Sequence, residues 1–400
     1  MRRASLSLLV ILAACRSDDP GHPIHGDPDA PRVDPPDAAS SCGRTLAPDG
    51  ARTLVVSKPY TAASDPATTY ELLDLSATGT LTRHTPPALF AMHRAAFGAI
   101  AFTPDGKIGM VPQADGTVGV FGTDGQVIDP GFGMDMFYAS RVVIDPGGAV
   151  AYVVDSDTQA NGGGIYALRI GCDGKPSLIG KVAAASTPNG LVLDGTRAFV
   201  AAGQQVLDAP ASNEAVMLHW DGTTSAPAVT ASANAFATGD AIVGGFALGV
   251  DKKTLFIGDT NAFSGIPNRV AVVGVGADSL VPATILTPIA DPEAIVASPF
   301  GNVAVVTSTA DGDAILVLDD GGTNHAWRIR GPVAYSGAGP MLPGDMAPIT
   351  RGALEGHVFV SELSSIRHLA FDDNGGVTDL GSLQFGDGID QILGAIGVTP

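Results

Sequence analysis

Phe102-Thr103-Pro104-Asp105-Gly106-Lys107-Ile108-Gly109-Met110-Val111 decides how this chain folds. An apolar residue enters a Thr-Pro-Asp-Gly turn and a second apolar run leaves it, the pattern of two short strands joined tightly. The same unit occurs once more, cut in two. Val398-Thr399-Pro400 supplies its first half, and Asp49-Gly50-Ala51-Arg52-Thr53-Leu54-Val55-Val56 its second. A unit divided between the two ends implies a closed ring, in which the last strand completes a sheet that the first strands begin.

Counterparts of Phe102 are read at Ile144, Leu193, Val250, Ala297, Gly352 and Val398, spaced 42 to 57 residues apart. Within each interval the order is constant: apolar strand, turn, apolar strand, variable loop, apolar strand, turn, fourth strand. Second strands include Val150-Ala151-Tyr152-Val153 and Val303-Ala304-Val305-Val306; third strands include Ile165-Tyr166-Ala167-Leu168 and Ile315-Leu316-Val317-Leu318. Continuous Val, Ile and Leu runs of this length fit strands buried on both faces, and repeats of this period mark four-stranded propeller blades. The expected fold is all-β: a seven-bladed β-propeller with four antiparallel strands per blade, six or eight blades being the alternatives. Ile392 to Thr399 is expected to join the blade whose outer three strands come from residues 51–84.

The first residues read as a targeting signal. Arg2 and Arg3 precede a short apolar run, Leu6 to Leu12, well below the ~20 residues of a spanning helix. It ends in Leu12-Ala13-Ala14-Cys15, which resembles the lipobox of bacterial lipoproteins; an ordinary signal peptide with a chance cysteine is the competing reading. The resemblance implies a signal peptide over 1–14, acylation of Cys15 with palmitate-type chains, and a membrane anchor at the cell envelope. Arg16 occupies the position where an aspartate would retain the protein at the inner membrane, which points to the outer membrane. Residues 15–47 then form an acidic, proline-rich tether with too little apolar surface to fold, and residues 48–400 form the propeller. His22 and His25 in the tether could loosely hold a metal, a chance pair in a solvated linker being the plainer reading.

The net charge of −19 disfavours nucleic acid and anionic headgroups as partners of the body. A monomer is expected. With Cys15 committed to lipid, Cys42 and Cys172 remain as an even pair in an oxidising compartment. Cys42 precedes the first blade strand and Cys172 lies in a turn between third and fourth strands on the same face, so a disulfide stapling the tether to the ring is expected, against two free thiols.

The strand units resemble the YVTN-type and lactonase-like seven-bladed propellers. Phe102-Thr-Pro-Asp-Gly-Lys matches their inner turn, and Tyr152-Val153-Val154-Asp155 and Val305-Val306-Thr307-Ser308 match the second strand that names the first family. These motifs report blades rather than chemistry, and an intact Tyr-Val-Thr-Asn is absent. Trp220-Asp221 is a single dipeptide and does not make a WD40 array.

No hydrolase elbow, zinc-protease motif, haem site or phosphate loop is present. The residues read as entering the inner strands are His93, Arg94, Tyr138, Arg141, Asn189, Asp240, Glu293, Asp345 and Asp390. Solvated loop residues are the plain reading. As alternatives, the carboxylates hold a divalent cation such as calcium, or His93 and Arg94 polarise a lactone carbonyl while a carboxylate activates water. Asp155, Asp157 and Asn161 alternate like calcium ligands, although the loop lacks the central glycine and the closing glutamate. No cofactor is otherwise expected. The leading expectation is a non-catalytic propeller that binds a protein, glycan or small molecule; a lactonase-like hydrolase and a structural envelope component are the alternatives.

Overall fold

In the computed structural model, the described residues are 42–59, 67–94, 96, 98, 100–133, 136, 138–156, 163–182, 188–203, 214–219, 228–236, 241, 243–260, 268–309, 313–321 and 326–400. The signal, Cys15 and the tether to residue 41 lie outside them, as do Asp157, Asn161, Trp220-Asp221 and Asp240. From Cys42 onward the chain is one compact unit.

Its strands follow the repeat. They run β1 (Arg52–Lys58), β2 (Ala67–Leu75) and β3 (Leu81–His93); β4 (Ala101–Phe102), β5 (Ile108–Pro112), β6 (Thr117–Gly122) and β7 (Val127–Gly133); β8 (Ala139–Ile144), β9 (Val150–Asp155), β10 (Gly164–Ile170) and β11 (Pro176–Val182); β12 (Pro188–Asp194), β13 (Arg197–Ala202), β14 (Glu214–His219) and β15 (Ala228–Asn234). The second half adds β16 (Val243–Leu248), β17 (Thr254–Asp259), β18 (Arg269–Val275) and β19 (Leu280–Leu286); β20 (Ile295–Ala297), β21 (Val303–Ser308), β22 (Ala314–Asp319) and β23 (Arg328–Pro332); β24 (Met346–Pro348), β25 (His357–Ser361), β26 (Ser365–Phe371) and β27 (Val377–Gln384); and β28 (Ile396–Val398). They form seven four-stranded antiparallel sheets. Six contain consecutive strands; the seventh has the order β28-β1-β2-β3. The innermost strands β28, β4, β8, β12, β16, β20 and β24 touch one another in cyclic order. The molecule is therefore a closed seven-bladed propeller. We number the blades 1 to 6 from β4–β7 to β24–β27, and the closing sheet is blade 7.

The split unit is rebuilt bond for bond. In blade 1, the Thr103 amide donates to the Ile108 carbonyl (2.9 Å) and the Ile108 amide to the Thr103 hydroxyl (3.1 Å). In blade 7, the Thr399 amide donates to the Thr53 carbonyl (2.9 Å) and the Thr53 amide to the Thr399 hydroxyl (3.0 Å). Two register expectations need correction. Leu248, not Val250, pairs with Leu255, and Pro348, not Gly352, pairs with Val358. Val250 sits in the turn closed by the Gly249 amide on the Thr254 carbonyl, and Gly352 in a longer loop closed by the Ile349 amide on the His357 carbonyl. Turn length varies between blades, and an apolar residue in a turn mimics a strand end.

Burial on both faces follows from strand alternation. On β1, Leu54 and Val56 pack with Phe359 and Ile366 of blade 6, whereas Val55 packs with Val111 and Phe121 of blade 1. Tyr70, Phe90 and Phe121 stack across the seam of blades 7 and 1 with centroids 4.9 to 6.5 Å apart. Each such buried side chain is worth about 1.5–3 kcal/mol. The outermost β27 alternates between sheltered and exposed positions, as a strand with one solvated face should.

Blade 7 is larger than expected, because its outer strand continues to His93 rather than ending near residue 84. Cys42 and Cys172 form a disulfide with Cα atoms 5.2 Å apart. Beyond it, Arg44 donates to the carbonyls of Gly148 (2.7 Å) and Gly171 (2.5 Å), and the Ala47 amide to Pro104 (2.9 Å). Residues 42–47 are thus strapped across blades 2 and 1 at the end of the ring where the innermost strands finish.

Candidate functional site at the channel mouth

The innermost strands all start at the opposite end of the ring, and three of them start irregularly. In β8 the pairing steps from Ala139 to Arg141, leaving Ser140 extra; in β12 it steps over Asn189; in β16 it steps from Val243 to Phe246 over Gly244 and Gly245. Bulges of this kind redirect side chains at barrel and propeller rims. The two glycines serve close approach. A Cβ on Gly244 would lie 2.7 Å from the Pro292 carbonyl oxygen, and one on Gly245 2.9 Å from the Ala294 carbonyl carbon. Only without side chains does β16 let the 291–294 segment of the next blade reach inward, where the Gly245 amide bonds the Pro292 carbonyl at 2.7 Å.

Three ionisable groups meet at this mouth. Arg141 of blade 2 attracts Asp345, which leads into blade 6, and Asp345 in turn repels Glu293, which leads into blade 5. Blades 2 and 6 are not neighbours in the ring, so the Arg141–Asp345 interaction spans the central channel. Burial pushes the Asp345 carboxyl up to about 6, although the Ile396 and Met346 amides (3.1 and 2.9 Å) and Arg141 favour its charged form. Burial, then the Asp291 charge, a hydrogen bond to Asp291 and the Asp345 charge hold Glu293 well above the ordinary carboxyl range. Burial raises Asp291 as well, and the two carboxyls share a hydrogen bond that favours the protonated form of Glu293 and the charged form of Asp291. Burial pushes the Arg141 guanidinium down, with Asp345 opposing. Its Nε is shut off from solvent and has no hydrogen-bond partner among the described residues.

Asp291 is the member that sequence reasoning missed. It has a left-handed backbone (φ 50°), uncommon for a residue with a side chain, and accepts from the Thr309 hydroxyl at 2.8 Å. The signal was present as acid-proline-acid at 291–293, directly before an inner strand. Asn189, 9% exposed, accepts from the Ser156 hydroxyl (3.3 Å) and donates to the Val243 carbonyl. It bridges three blade segments at the mouth.

The remaining candidates fall elsewhere. His93 ends the outermost strand β3, and its Nδ1 bonds Asp115 of blade 1 at 2.9 Å, both side chains being nearly half exposed. The Arg94 carbonyl accepts from the Ala114 amide at 2.8 Å. These two lie at the start of the crossing from blade 7 to blade 1, and among the described residues their hydrogen bonds run to Asp115 and Ala114 of blade 1 rather than to Arg141 or Asp345. Tyr138 is held through its backbone, its amide on Asp155 (3.2 Å) and its carbonyl on the Ser156 amide (3.1 Å). Asp155 is fully buried in that contact, which does not suit an open calcium loop. Asp390 is exposed on the short 3-10 turn Ile389–Gln391. Among the described residues no three His, Cys, Asp or Glu side chains are grouped to hold a metal. The loop between β23 and β24 is pinned to blade 6, the Ser336 amide on Asp379 at 2.8 Å and the Arg367 guanidinium on the Ala338 carbonyl at 2.9 Å.

What the mouth offers a ligand is one partly exposed guanidinium and two carboxyls that burial pushes up, that of Asp345 to about 6. This suits recognition of a polar or anionic group.

No family model matches the chain, and no curated protein matches its sequence. Solved structures share its fold. A "putative 6-phosphogluconolactonase" from Bacteroides fragilis superposes with a TM-score of 0.64 at 11% identity, covering 88% of this chain and 99% of that one. A second, from Bacteroides uniformis, gives 0.60 at 11% identity over 88% and 100%. A hypothetical selenium-binding protein from Sulfolobus tokodaii gives 0.64 at 10% identity over 88% and 94%. At these identities the likeness is one of fold.

Proposed function

We propose that this chain is a lipid-anchored cell-envelope propeller whose channel mouth binds a small polar molecule, a glycan or a protein segment without turning it over. The observation that carries the reading is Arg141, a partly exposed guanidinium held at the channel opposite a carboxyl that burial keeps partly neutral. Thermal-shift screening of the mature protein against sugar acids, lactones and oligosaccharides tests it. A stabilising ligand should lose its effect in Arg141→Gln, and a ligand that stabilises wild type and Arg141→Gln equally places the site elsewhere. The anchor is tested by Cys15→Ser, which should move the protein out of the membrane fraction; unchanged fractionation would remove the lipid from the proposal.

A second reading is a lactonase-like hydrolase. It is favoured by the near-neutral acidity of Asp345 beside an arginine, and by the fold shared with the two Bacteroides proteins. Asp345 would activate water as general base and Arg141 would stabilise the developing oxyanion. Turnover in a lactone panel that includes 6-phosphogluconolactone, abolished in a folded Asp345→Asn variant, would establish it. Absence of turnover across the panel, with and without calcium, leaves the binding module.

A further inference from the structure

His357 opens β25, at the end of the ring opposite the channel mouth, and His368 lies on the adjacent β26. Phe359 pairs with His368 across the two strands, and His357 is one alternation back, so all three side chains leave the same face of blade 6. That face meets blade 7, where Phe359 shares a core with Leu73 and Leu75. Nδ1 of His357 and Nε2 of His368 are 2.7 Å apart, a hydrogen bond between the rings. Phe359 stacks on the His368 ring with centroids 4.4 Å apart. The β2–β3 turn of blade 7 rests on the pair. A Cβ on Gly79 would lie 3.3 Å from Cε1 of His368 and 3.5 Å from Cε1 of His357. The Gly79 amide closes that turn on the Ser76 carbonyl at 3.0 Å. With the turn this close, the rings cannot part without moving it. Both imidazoles are partly exposed, so protons reach them from solvent.

Two neutral imidazoles satisfy one another, one donating and the other accepting. A first added proton can settle on an outer nitrogen and leave the bond in place. A second must take the accepting nitrogen. Two N–H groups then face each other between two positive rings, which repel in a part-buried setting. Burial pushes the His357 imidazole down; burial, then the His357 charge, push His368 down to about 4, while Asp379 of β27 favours its charged form. The surroundings supply little else. Arg367 points to the other face of β26, paired with Glu362 and Asp379. The loop before β25 brings Leu354 to the same contact, with Glu355 exposed beside it and Arg351 donating to the Ala47 carbonyl. From Leu75 to Leu81 the blade 7 turn has no ionisable residue, so it offers no carboxylate to a second positive ring.

We propose that His357 and His368 form an acid-sensitive latch on the seam between blades 6 and 7, the blade that joins the two chain ends: the bonded pair seats the Gly79 turn at neutral pH, and double protonation parts the rings and lifts the turn. It is independent of the channel-mouth reading.

Hydrogen exchange of the full chain at pH 7 and pH 4, corrected for the intrinsic pH dependence of amide exchange, tests it. In wild type, protection of residues 76–81 should fall about tenfold or more at pH 4, while the β6–β7 turn keeps its own. In His368→Gln, whose amide can still bond His357 but adds no second positive ring, residues 76–81 should stay protected. A base whose value is depressed in the fold stabilises the folded state fully above its unfolded value and loses that contribution as pH falls. From pH 6.5 down to about 4, wild type should therefore lose on the order of a hundredfold in its folding equilibrium relative to His368→Gln. The Asp345 titration is common to both proteins and cancels in this comparison. His357→Gln gives the same readout if His368→Gln fails to fold, and exchange in wild type decides the matter if neither folds. Unchanged protection of residues 76–81 in wild type at pH 4, or parallel pH profiles for wild type and a folded glutamine variant, would overturn the latch.

Discussion

At Asp345, burial costs the carboxylate more than the Ile396 and Met346 amides and Arg141 return, so the group titrates at about 6 in the fold against ~3.9 in an unfolded chain. A carboxyl raised in this way favours the folded state fully below its unfolded value, and that contribution is lost as pH rises through about 6. The difference corresponds to at most about 3 kcal/mol. Asp345→Asn keeps the shape and an acceptor oxygen but cannot ionise. Between pH 4 and 6, wild type should therefore lose melting temperature relative to Asp345→Asn; parallel pH profiles for the two proteins would show that the carboxyl is not held neutral. Arg141, Glu293 and Asp345 were legible because each polar residue stands at the start of an apolar inner strand. His93 was misplaced for a physical reason. The outer strand was expected to end near residue 84, just before Pro86 and Pro87, yet the outermost strand of a sheet tolerates proline, and β3 passes them with a register shift, Arg83 pairing with Leu73 and Ala88 with Leu72.

The strap from Cys42 to Ala47 is not part of any blade, yet it fixes three hairpin ends at once. Arg44 satisfies carbonyls in two turns of blade 2, Ala47 ties to the β4–β5 turn, and the disulfide links across 130 residues of sequence. Closing a loop of that length in the unfolded chain is worth about 2–4 kcal/mol in typical cases. Replacing both cysteines by serine should lower stability by that amount in denaturant titrations. A reductant should destabilise wild type to the same extent and leave the double variant unaffected; equal stability with and without reductant would show that the strap holds without its covalent link. The pairing of Cys42 with Cys172 could be anticipated from the cysteine count and the turn positions together. Arg44 could not, since its partners are backbone carbonyls, which carry no sequence signal. The inner-strand bulges at Ser140, Asn189 and Gly244-Gly245 were hidden for a related reason: one or two extra residues shift the pairing without altering the apolar pattern around them.

Across the whole ring, the blade count survived errors at Val250 and Gly352 because it rests on seven second strands, whose buried runs do not depend on turn length. Closure is the most demanding consequence. β28 pairs with β1 through Leu54–Val398, Val55–Gly397 and Val56–Ile396, and the Arg52 and Thr53 bonds to Thr399 continue the ladder. Gly397 is required here, since a Cβ would lie 2.6 Å from the Ile100 carbonyl oxygen of the neighbouring inner strand. Removing residues 391–400 would expose the inner edge of β1 and withdraw Leu393, Ala395 and Ile396, all at most 8% exposed, from the cores between blades 6, 7 and 1. Two large apolar side chains at about 1.5–3 kcal/mol each, together with unpaired backbone groups at about 1–3 kcal/mol each, give a loss on the order of 5–10 kcal/mol. That is comparable with the entire stability of an ordinary domain. The truncated protein should therefore lose its cooperative thermal transition rather than show a modest shift, and a synthetic peptide spanning residues 388–400 should restore the transition in a concentration-dependent manner, because binding to the folded state stabilises by mass action. A truncated chain that melts like wild type would mean that the ring is held by its blade-to-blade cores alone and that the shared blade is dispensable.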